Sequence, residues 1–514
     1  MFRSRTHITS SASGAGSVAA AGTRTPSGAG SVAAAGTRTP EASAALPPEL
    51  RRLALAIMLG AFMVTLDMTM VNVALNTLAR NFATSVTTIQ WVATGYLLAL
   101  AVSIPMTGWA IERFGARNSW VASLVMFIGG SVLCGLAWSS GSLIAFRVLQ
   151  GFGGGMLIPL AQAILAQAAG PDRLGRVMAV VGIPAMLGPV LGPVLGGVIV
   201  TDLTWRVMFY LNVPVCLAAV LAAYRVAMPA KPAAGGNARL DVVGLALLSP
   251  GLAAIVYGFA EVGSYGGFTD PHVVVPIAAG VALLVAFAAH ALTSRDPIVD
   301  LRLFRARSFS AASALVLLFT MAMLGMQLLL PLYYQQVRHQ SALNAGLLLA
   351  PRGIGMAVAL VVAGKLSDRI GPRPIVLVGL LLSALSTLAY TQVGDHTSLF
   401  ALSLLLVVNG AGLGAALVPS LAAPYRGLRT EQIPRATSAI RILQQLGGSS
   451  GVAILAVVLQ RELVHAAHHA ASLAAAYGQT FWWALAFIAV AAIPALMLPG
   501  TLGGRRLQAS AATT

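Results

Sequence analysis

Two charged side chains stand where a chain this apolar should carry none. Asp67 lies in LDMTMVNVAL (66–75), and Arg147 opens RVLQGFGGG (147–155). Asp67 is 15 residues past Arg52 and 13 before Arg80, which on a helix is about 20 Å from either charged end. A carboxylate at that depth is costly and marks function. Desolvation favours the neutral form of a carboxyl, so the chemistry open to Asp67 is taking up and releasing a proton. The alternative is a structural partner for another buried polar group. Arg147, five residues after Ser142, keeps its charge and needs Asp67, backbone carbonyls or water. A pair whose separation changes with conformation can drive proton uptake and release. Snorkelling of Arg147 to the outer interface is the competing reading. The other acids near apolar runs, Asp202, Glu261, Asp270 and Asp395, fall towards their ends.

Such residues need elements that cross lipid. Of 514 residues, 57% are hydrophobic and 9% charged, against about 25% charged in a soluble domain. The apolar runs predict fourteen spans, approximately 53–77, 90–111, 119–138, 142–168, 176–200, 207–227, 242–261, 272–293, 309–333, 343–365, 374–392, 398–423, 436–460 and 481–500. A twelve-span reading stays open through the pair 242–261 and 272–293 and the polar stretch 461–479. The net charge of +17 does not point to nucleic acid, because the basic residues cluster in short loops between apolar runs. Most of them alternate onto one side, the positive-inside pattern, which predicts a multi-pass protein of the cytoplasmic (inner) membrane with both termini cytoplasmic.

Cys134 and Cys216 lie in apolar runs and read as packing residues. The 14-mer SGAGSVAAAGTRTP occurs at 13–26 and again at 27–40. Without apolar periodicity it predicts a disordered tail over 1–50, and it lacks the apolar core of a signal peptide.

Two further patterns bear on mechanism. In GPVLGPVLGG (188–197), Gly188, Gly192 and Gly196 repeat every four residues and share one helix face. Pro189 and Pro193 form a neighbouring stripe that predicts a bend. The segment reads as a bent helix pressed on a partner, or as ordinary membrane-helix packing. The loops GWAIERFGARN (108–118) and GKLSDRIGPRP (364–374) share G-x-x-x-[DE]-R-x-G-x-R. They set Gly108, Glu112, Arg113, Gly115 and Arg117 against Gly364, Asp368, Arg369, Gly371 and Arg373. Each suits a tight turn with ion pairs between helix ends, and two copies imply a duplicated architecture.

These loops resemble those of the major facilitator superfamily. LDMTMVNVAL is similar to the first-helix signature of its fourteen-span drug:proton antiporters, the EmrB/QacA-type exporters. QWVATGYLLALA (90–101), RVLQGFGGG, the glycine-proline segment, WRVMFYLNVP (205–214), LLLAPRGIG (347–355) and QQLGGSSGVAI (444–454) resemble further stretches of that family in order. Three positions depart from its pattern: Asn76 where proline is usual, Glu112 where aspartate is, and Asn118 where a basic residue is common.

The resemblance implies an all-α polytopic membrane fold. A six-helix bundle would cover 51–230, two extra linking helices 231–300, a second bundle 301–503 and a cytoplasmic tail 504–514. It also implies proton handling by Asp67 and Arg147, and a glycine face on the fifth helix that seals against the other half and suppresses leak.

Expected cavity residues are Asn72, Tyr96, Gln150, Gln327, Tyr333, Arg352 and Asn409, with Gln162 and Tyr334. Aromatic faces and Asp67 suit organic cations, while Arg352 could equally favour anionic or zwitterionic cargo. His465, His468 and His469 read as a solvated or interfacial segment, with no metal site. No enzyme signature appears, since Gly364–Lys365 is followed by Leu366 and completes no phosphate loop. The function expected is proton-driven export of small hydrophobic or cationic compounds, a monomer with the proton as coupling ion and no cofactor. The alternative is a dedicated proton-coupled exporter of one metabolite. A periplasmic adaptor is left open.

Overall fold

The computed structural model describes residues 47–170, 173–229, 240–262, 267–294, 296–340, 342–393, 397–468 and 473–498. The tail repeat, the segment 504–514, Asp395 and His469 lie outside the described residues, as do the side chains of Asn76, Pro184, Pro189, Pro193 and His468. In lipid no water satisfies exposed backbone groups, so each crossing must satisfy its own. The described regular elements are helices accordingly.

They are α1 (Pro48–Asn81), α2 (Val86–Ser103), α3 (Met106–Phe114), α4 (Ala116–Gly135), α5 (Ser140–Ala169), α6 (Leu174–Asp202), α7 (Arg206–Tyr210), α8 (Asn212–Arg225), α9 (Val242–Glu261) and α10 (Pro271–Thr293). There follow α11 (Arg307–Gln336), α12 (Ala342–Leu348), α13 (Ala350–Ile370), α14 (Pro372–Tyr390), α15 (Leu399–Ala422), α16 (Ile433–His468) and α17 (Leu473–Leu496). Twelve spans are long and apolar enough to cross a membrane, or thirteen when α2 and α3 count as one. To these α6 adds a 29-residue helix, about 43 Å at the usual rise and longer than roughly 30 Å of hydrocarbon.

Most boundaries fall within a few residues of those expected. Two differences have physical causes. The second span breaks at Pro105, where α2 and α3 meet at 55°, because proline supplies no N–H to continue the ladder. The carbonyl freed near the break, on Val102, accepts the Ser249 hydroxyl of α9 at 2.8 Å. The polar stretch 461–479 is largely helix, since α16 runs on to His468 and α17 begins at Leu473. Its Ala- and Leu-rich composition favours helix even with charged residues present.

The described residues form one compact unit. In the first half α1 packs on α6 and α8, and α5 on α2 and α4; in the second, α11 packs on α16 and α17, and α15 on α13 and α14. The halves meet where α3 touches α16 and where α6 touches α13 and α15. Helices α9 and α10 pack on each other, and α9 also touches α2 and α16.

The duplication reaches the packing itself. Gln150-Gly151-x-Gly153-x-Gly155 on α5 has a counterpart in Asn409-Gly410-x-Gly412-x-Gly414 on α15. A Cβ at Gly151 would meet the Tyr96 carbonyl oxygen at 2.6 Å, and one at Gly410 would strike the Arg352 carbonyl oxygen. Gly155 abuts Leu100 as Gly414 abuts Met356, and Gly153 abuts Phe127 as Gly412 abuts Ser383. The glycines let two backbones touch in each half, and they bring Gln150 into register with Asn409 and Tyr96 with Arg352.

Candidate functional site

Arg147 and Gln150 stand three apart on α5 and so share one helix face. That face meets Asp67 of α1, which is fully buried, as are both α5 side chains. Arg147 Nη1 donates to Asp67 Oδ2 at 2.6 Å and to Gln150 Oε1 at 2.7 Å. Gln150 Nε2 donates to Asp67 Oδ1 at 3.1 Å, and Asn212 Nδ2, at the start of α8, donates to the same oxygen at 2.8 Å. Ser131 Oγ of α4 receives Gln150 Nε2 at 2.7 Å and Asn212 Nδ2 at 3.1 Å. Arg147 Nε donates to the Val92 carbonyl at 3.2 Å, and its guanidinium lies 4.0 Å from the centroid of the Tyr96 ring. Snorkelling is thus not what Arg147 does.

Asp67 accepts from three donors and donates to none of them, the pattern of an ionised carboxylate. Two polar atoms beside it, Tyr96 Oη and Asn212 Oδ1, are sealed without a partner among the described residues. Buried orphans of this kind are positions that a water or a passing proton carrier can satisfy. Asn212 and Ser131 were not singled out from the sequence, and Cys134, expected only to pack, sets its Sγ 3.6 Å from Gln150 Oε1. The signal was there in part, since each is a polar atom inside an apolar run.

The glycine face of α6 corrects one expectation. It does not seal against the other half. A Cβ at Gly188 would meet Thr65 Cβ at 2.8 Å, one at Gly192 would strike Thr69 Oγ1, and one at Gly196 would meet the Met70 carbonyl oxygen at 3.1 Å. All three lie on α1, in the same half, on the turns that carry Asp67. Thr69 Oγ1 also donates to the Gly188 carbonyl at 3.0 Å. It is a different stretch of α6 that faces the second half. A Cβ at Gly175 would lie 2.6 Å from the Gly364 carbonyl oxygen, and one at Gly182 would lie 2.7 Å from Leu360 Cδ1.

The duplicated loops fasten the two halves at one end. Gly115 and Gly371 end α3 and α13 at φ +83° and +85°, a region open to glycine and costly for other residues. Glu112 accepts Arg435 of α16 at both oxygens, at 2.7 and 2.9 Å, and Gly108 N donates to Ser438 Oγ at 3.2 Å. Asp368 accepts from Gly175 N at 2.8 Å, Arg176 N at 3.2 Å and Arg176 Nε at 3.1 Å. A carboxylate there complements the N-terminal dipole of α6 across the interface. Arg117 Nη2 donates to the Val226 carbonyl at 3.0 Å, while Arg113, Arg369 and Arg373 are exposed.

The expected cavity residues separate. Tyr96 and Gln150 belong to the Asp67 cluster. Asn72 and Gln327 are exposed in the C-terminal thirds of α1 and α11. Tyr333 and Tyr334 are buried with Tyr390, Tyr477 and Phe481 in an aromatic cluster of the second half, and Gln162 is buried on α5. Arg352 Nε donates to Asn409 Oδ1 at 3.0 Å, and Asn409 Nδ2 donates to Ser386 Oγ at 2.9 Å. Among the described residues no three His, Cys, Asp or Glu side chains gather as a metal site, and His465 is exposed near the end of α16.

Comparison with known proteins fits this geometry. The family model described as Major Facilitator Superfamily matches residues 57–452. The chain is 42% identical over 419 residues to a multidrug resistance protein B homolog of Mycobacterium tuberculosis, covering 81% of this chain and 77% of that one. It is 31% identical to the multidrug export protein EmrB of Haemophilus influenzae, over 80% of this chain and 81% of that relative. Among solved structures, the proton:xylose symporter XylE superposes with a TM-score of 0.63 at 15% identity, over 90% of this chain and 98% of that one. The last likeness speaks to the fold alone.

Proposed function

Since the chain belongs to the major facilitator superfamily, we propose that it is a proton-driven antiporter that exports small, largely hydrophobic compounds across the cytoplasmic membrane by alternating access. In this reading it crosses fourteen times with both termini in the cytoplasm, and the loops 108–118 and 364–374 lie on the cytoplasmic side. The ion pairs Glu112–Arg435 and Asp368–Arg176 then hold the cytoplasmic end shut. The names of the two relatives support export of several drugs.

The observation that carries the coupling is the buried Asp67 carboxylate, held by Arg147, Gln150 and Asn212. A proton arriving from outside cancels the charge that offsets Arg147. An unpaired buried guanidinium costs about 3–5 kcal/mol, so the cluster cannot keep its present arrangement. The Asp67-bearing turns of α1 lie against the glycine face of α6, and α6 reaches the second half. Protonation and the closure at the cytoplasmic end therefore share one helix. Opening to the cytoplasm lets Arg147 take Asp67 back, the proton leaves on that side, and the cargo enters for the return. No residue of the cluster needs to be consumed.

The test uses everted vesicles with a respiration-driven pH gradient and a proton-sensitive dye. Asp67→Asn is expected to abolish substrate-induced proton flux while the protein remains in the membrane; undiminished flux would overturn the coupling. A screen of unrelated dyes with and without an uncoupler separates multidrug export from a dedicated exporter of one metabolite.

A further inference from the structure

The membrane interior of this protein is positively charged, and its positive charge is placed. Among the described residues, Asp67 is the one carboxylate deep within a span, and Arg147 neutralises it. Two other guanidinium groups, Arg352 on α13 and Arg441 on α16, have no acidic partner among the described residues. Arg352 stands eight residues after Asn344, where its 27-residue span begins. Its Nε is bound to Asn409, and Asn409 to Ser386. Neither terminal nitrogen of Arg352 has a hydrogen-bond partner among the described residues, and neither is sealed from solvent. Arg441 donates Nη1 to Gln444 Oε1 at 2.8 Å and is likewise half-buried.

A guanidinium fixed at Nε and open at both Nη atoms is a fork aimed at a planar, doubly accepting anion such as a carboxylate. The flexible alternative, in which Arg352 swings to an interface, is opposed by the amide that pins it and by the hydroxyl that pins the amide. Leu348 and Leu349, just before Arg352, pack against the cluster of Tyr333, Tyr334, Tyr390, Tyr477 and Phe481. The half-buried Leu348 and Leu349, backed by those buried rings, therefore present apolar surface beside the charge. The cationic cargo expected from Asp67 finds no open carboxylate, since Asp67 is fully engaged. We infer that Arg352, oriented by Asn409 and Ser386, is the recognition site for the anionic group of an organic substrate with a hydrophobic body. This rests on reading the chain as an exporter and assigns the charge class of its cargo.

Fluorescein and rhodamine 123 share a ring skeleton and differ in charge, so they serve as paired probes. Binding to the purified full-length chain in nanodiscs is followed by fluorescence polarisation, and uncoupler-sensitive movement of the same dyes is followed in vesicles. Fluorescein is expected to bind more tightly than rhodamine 123. Arg352→Gln should weaken fluorescein binding about tenfold to a hundredfold, the worth of a charge-assisted hydrogen bond, and leave rhodamine 123 unchanged. Asn409→Asp, nearly isosteric, should do the same by supplying Arg352 with an internal countercharge, and Arg352→Lys should fall between.

Tighter binding of rhodamine 123, no fluorescein binding by the native chain, or indifference of fluorescein to folded Arg352→Gln and Asn409→Asp overturns the assignment. Loss of fluorescein binding in both variants, with no uncoupler-sensitive movement of either dye by the native chain, upholds the anion site and removes the antiporter reading. Normal driven export that ignores both substitutions does the reverse.

Discussion

In the first half the guanidinium comes from α5 and meets a carboxylate from α1; in the second it comes from α13 and meets an amide from α15. The packing that delivers them is otherwise shared. Gln150 and Asn409 occupy one register position, and Tyr96 and Arg352 another. Even the first helices correspond. Asp67 lies between Thr65 and Thr69, which face Gly188 and Gly192, and Phe319 lies between Leu317 and Met321, which face Gly447 and Gly451. The place of the acid is taken in the second half by a buried phenylalanine. One scaffold thus holds a charge that can be cancelled on one side and a charge that can only be answered from outside on the other. Duplication fixed the backbone contacts, and a few side chains divided the work.

The largest expected effect breaks that division outright. Asp67→Asn should remove coupled proton flux, whereas Phe319→Leu, at the matching place, should leave proton flux in the same vesicles within about twofold, since neither side chain carries a titratable group and the exchange costs packing alone. Next is the dependence of Arg147 on its partner. Arg147→Gln strips the offset from a buried carboxylate and should destabilise by about 3–5 kcal/mol, but Arg147→Gln combined with Asp67→Asn should recover most of that loss. Melting of the detergent-solubilised proteins measures both, and equal losses would mean that the pair contributes no more than its surroundings.

Third comes the glycine face. Gly192→Val and Gly451→Val both force a side chain into a facing helix, for about 1–3 kcal/mol of overpacking. Only the first moves the turns that bear Asp67, so only it should pass protons without cargo, read as faster collapse of an imposed pH gradient.

A smaller effect separates the two closures. Asp368 receives two backbone N–H groups as well as a guanidinium nitrogen, and Glu112 a guanidinium alone. Asp368→Asn should therefore loosen the contact between the halves more than Glu112→Gln, by about 1 kcal/mol as for loss of a helix cap. Labelling of a thiol introduced at the interface reports it, against the low background of buried Cys134 and Cys216.

The smallest effect lies outside both halves. The backbone N–H of His272, with its ring, holds the partly exposed Asp270 carboxyl below its ordinary value. A lowered folded value stabilises above the unfolded one and fades as pH falls through it. Asp270→Asn should lower the melting point slightly at neutral pH and not at all in strong acid.

Asp67 and Arg147 were legible in the sequence because an ionisable group in an apolar run stands out by its cost alone. Their meeting was an inference from chemistry, and it holds. The loops were legible because they repeat. Asn212 and Ser131 were not, since a neutral polar residue in a membrane helix is too common to signal a role until its partner is seen. The glycine register at 151–155 and 410–414 is a sequence pattern too, yet its meaning depends on which backbone lies opposite. For the same reason the partner of Gly188, Gly192 and Gly196 was misjudged. Spacing defines a face and says nothing of what it faces. Arg352 was left between two charge classes because Nε and Nη cannot be told apart in a string of letters.

Helix α9, tied to the kink at Val102 and resting on α16, lies along one of the two seams where the halves adjoin. That seam is covered from the side, whereas at the seam between α6 and α13 the two backbones touch directly at Gly175 and Gly364. The pair α9 and α10 thereby makes the two flanks of the bundle unlike, one propped by a third helix and the other closed by direct contact of its own two helices.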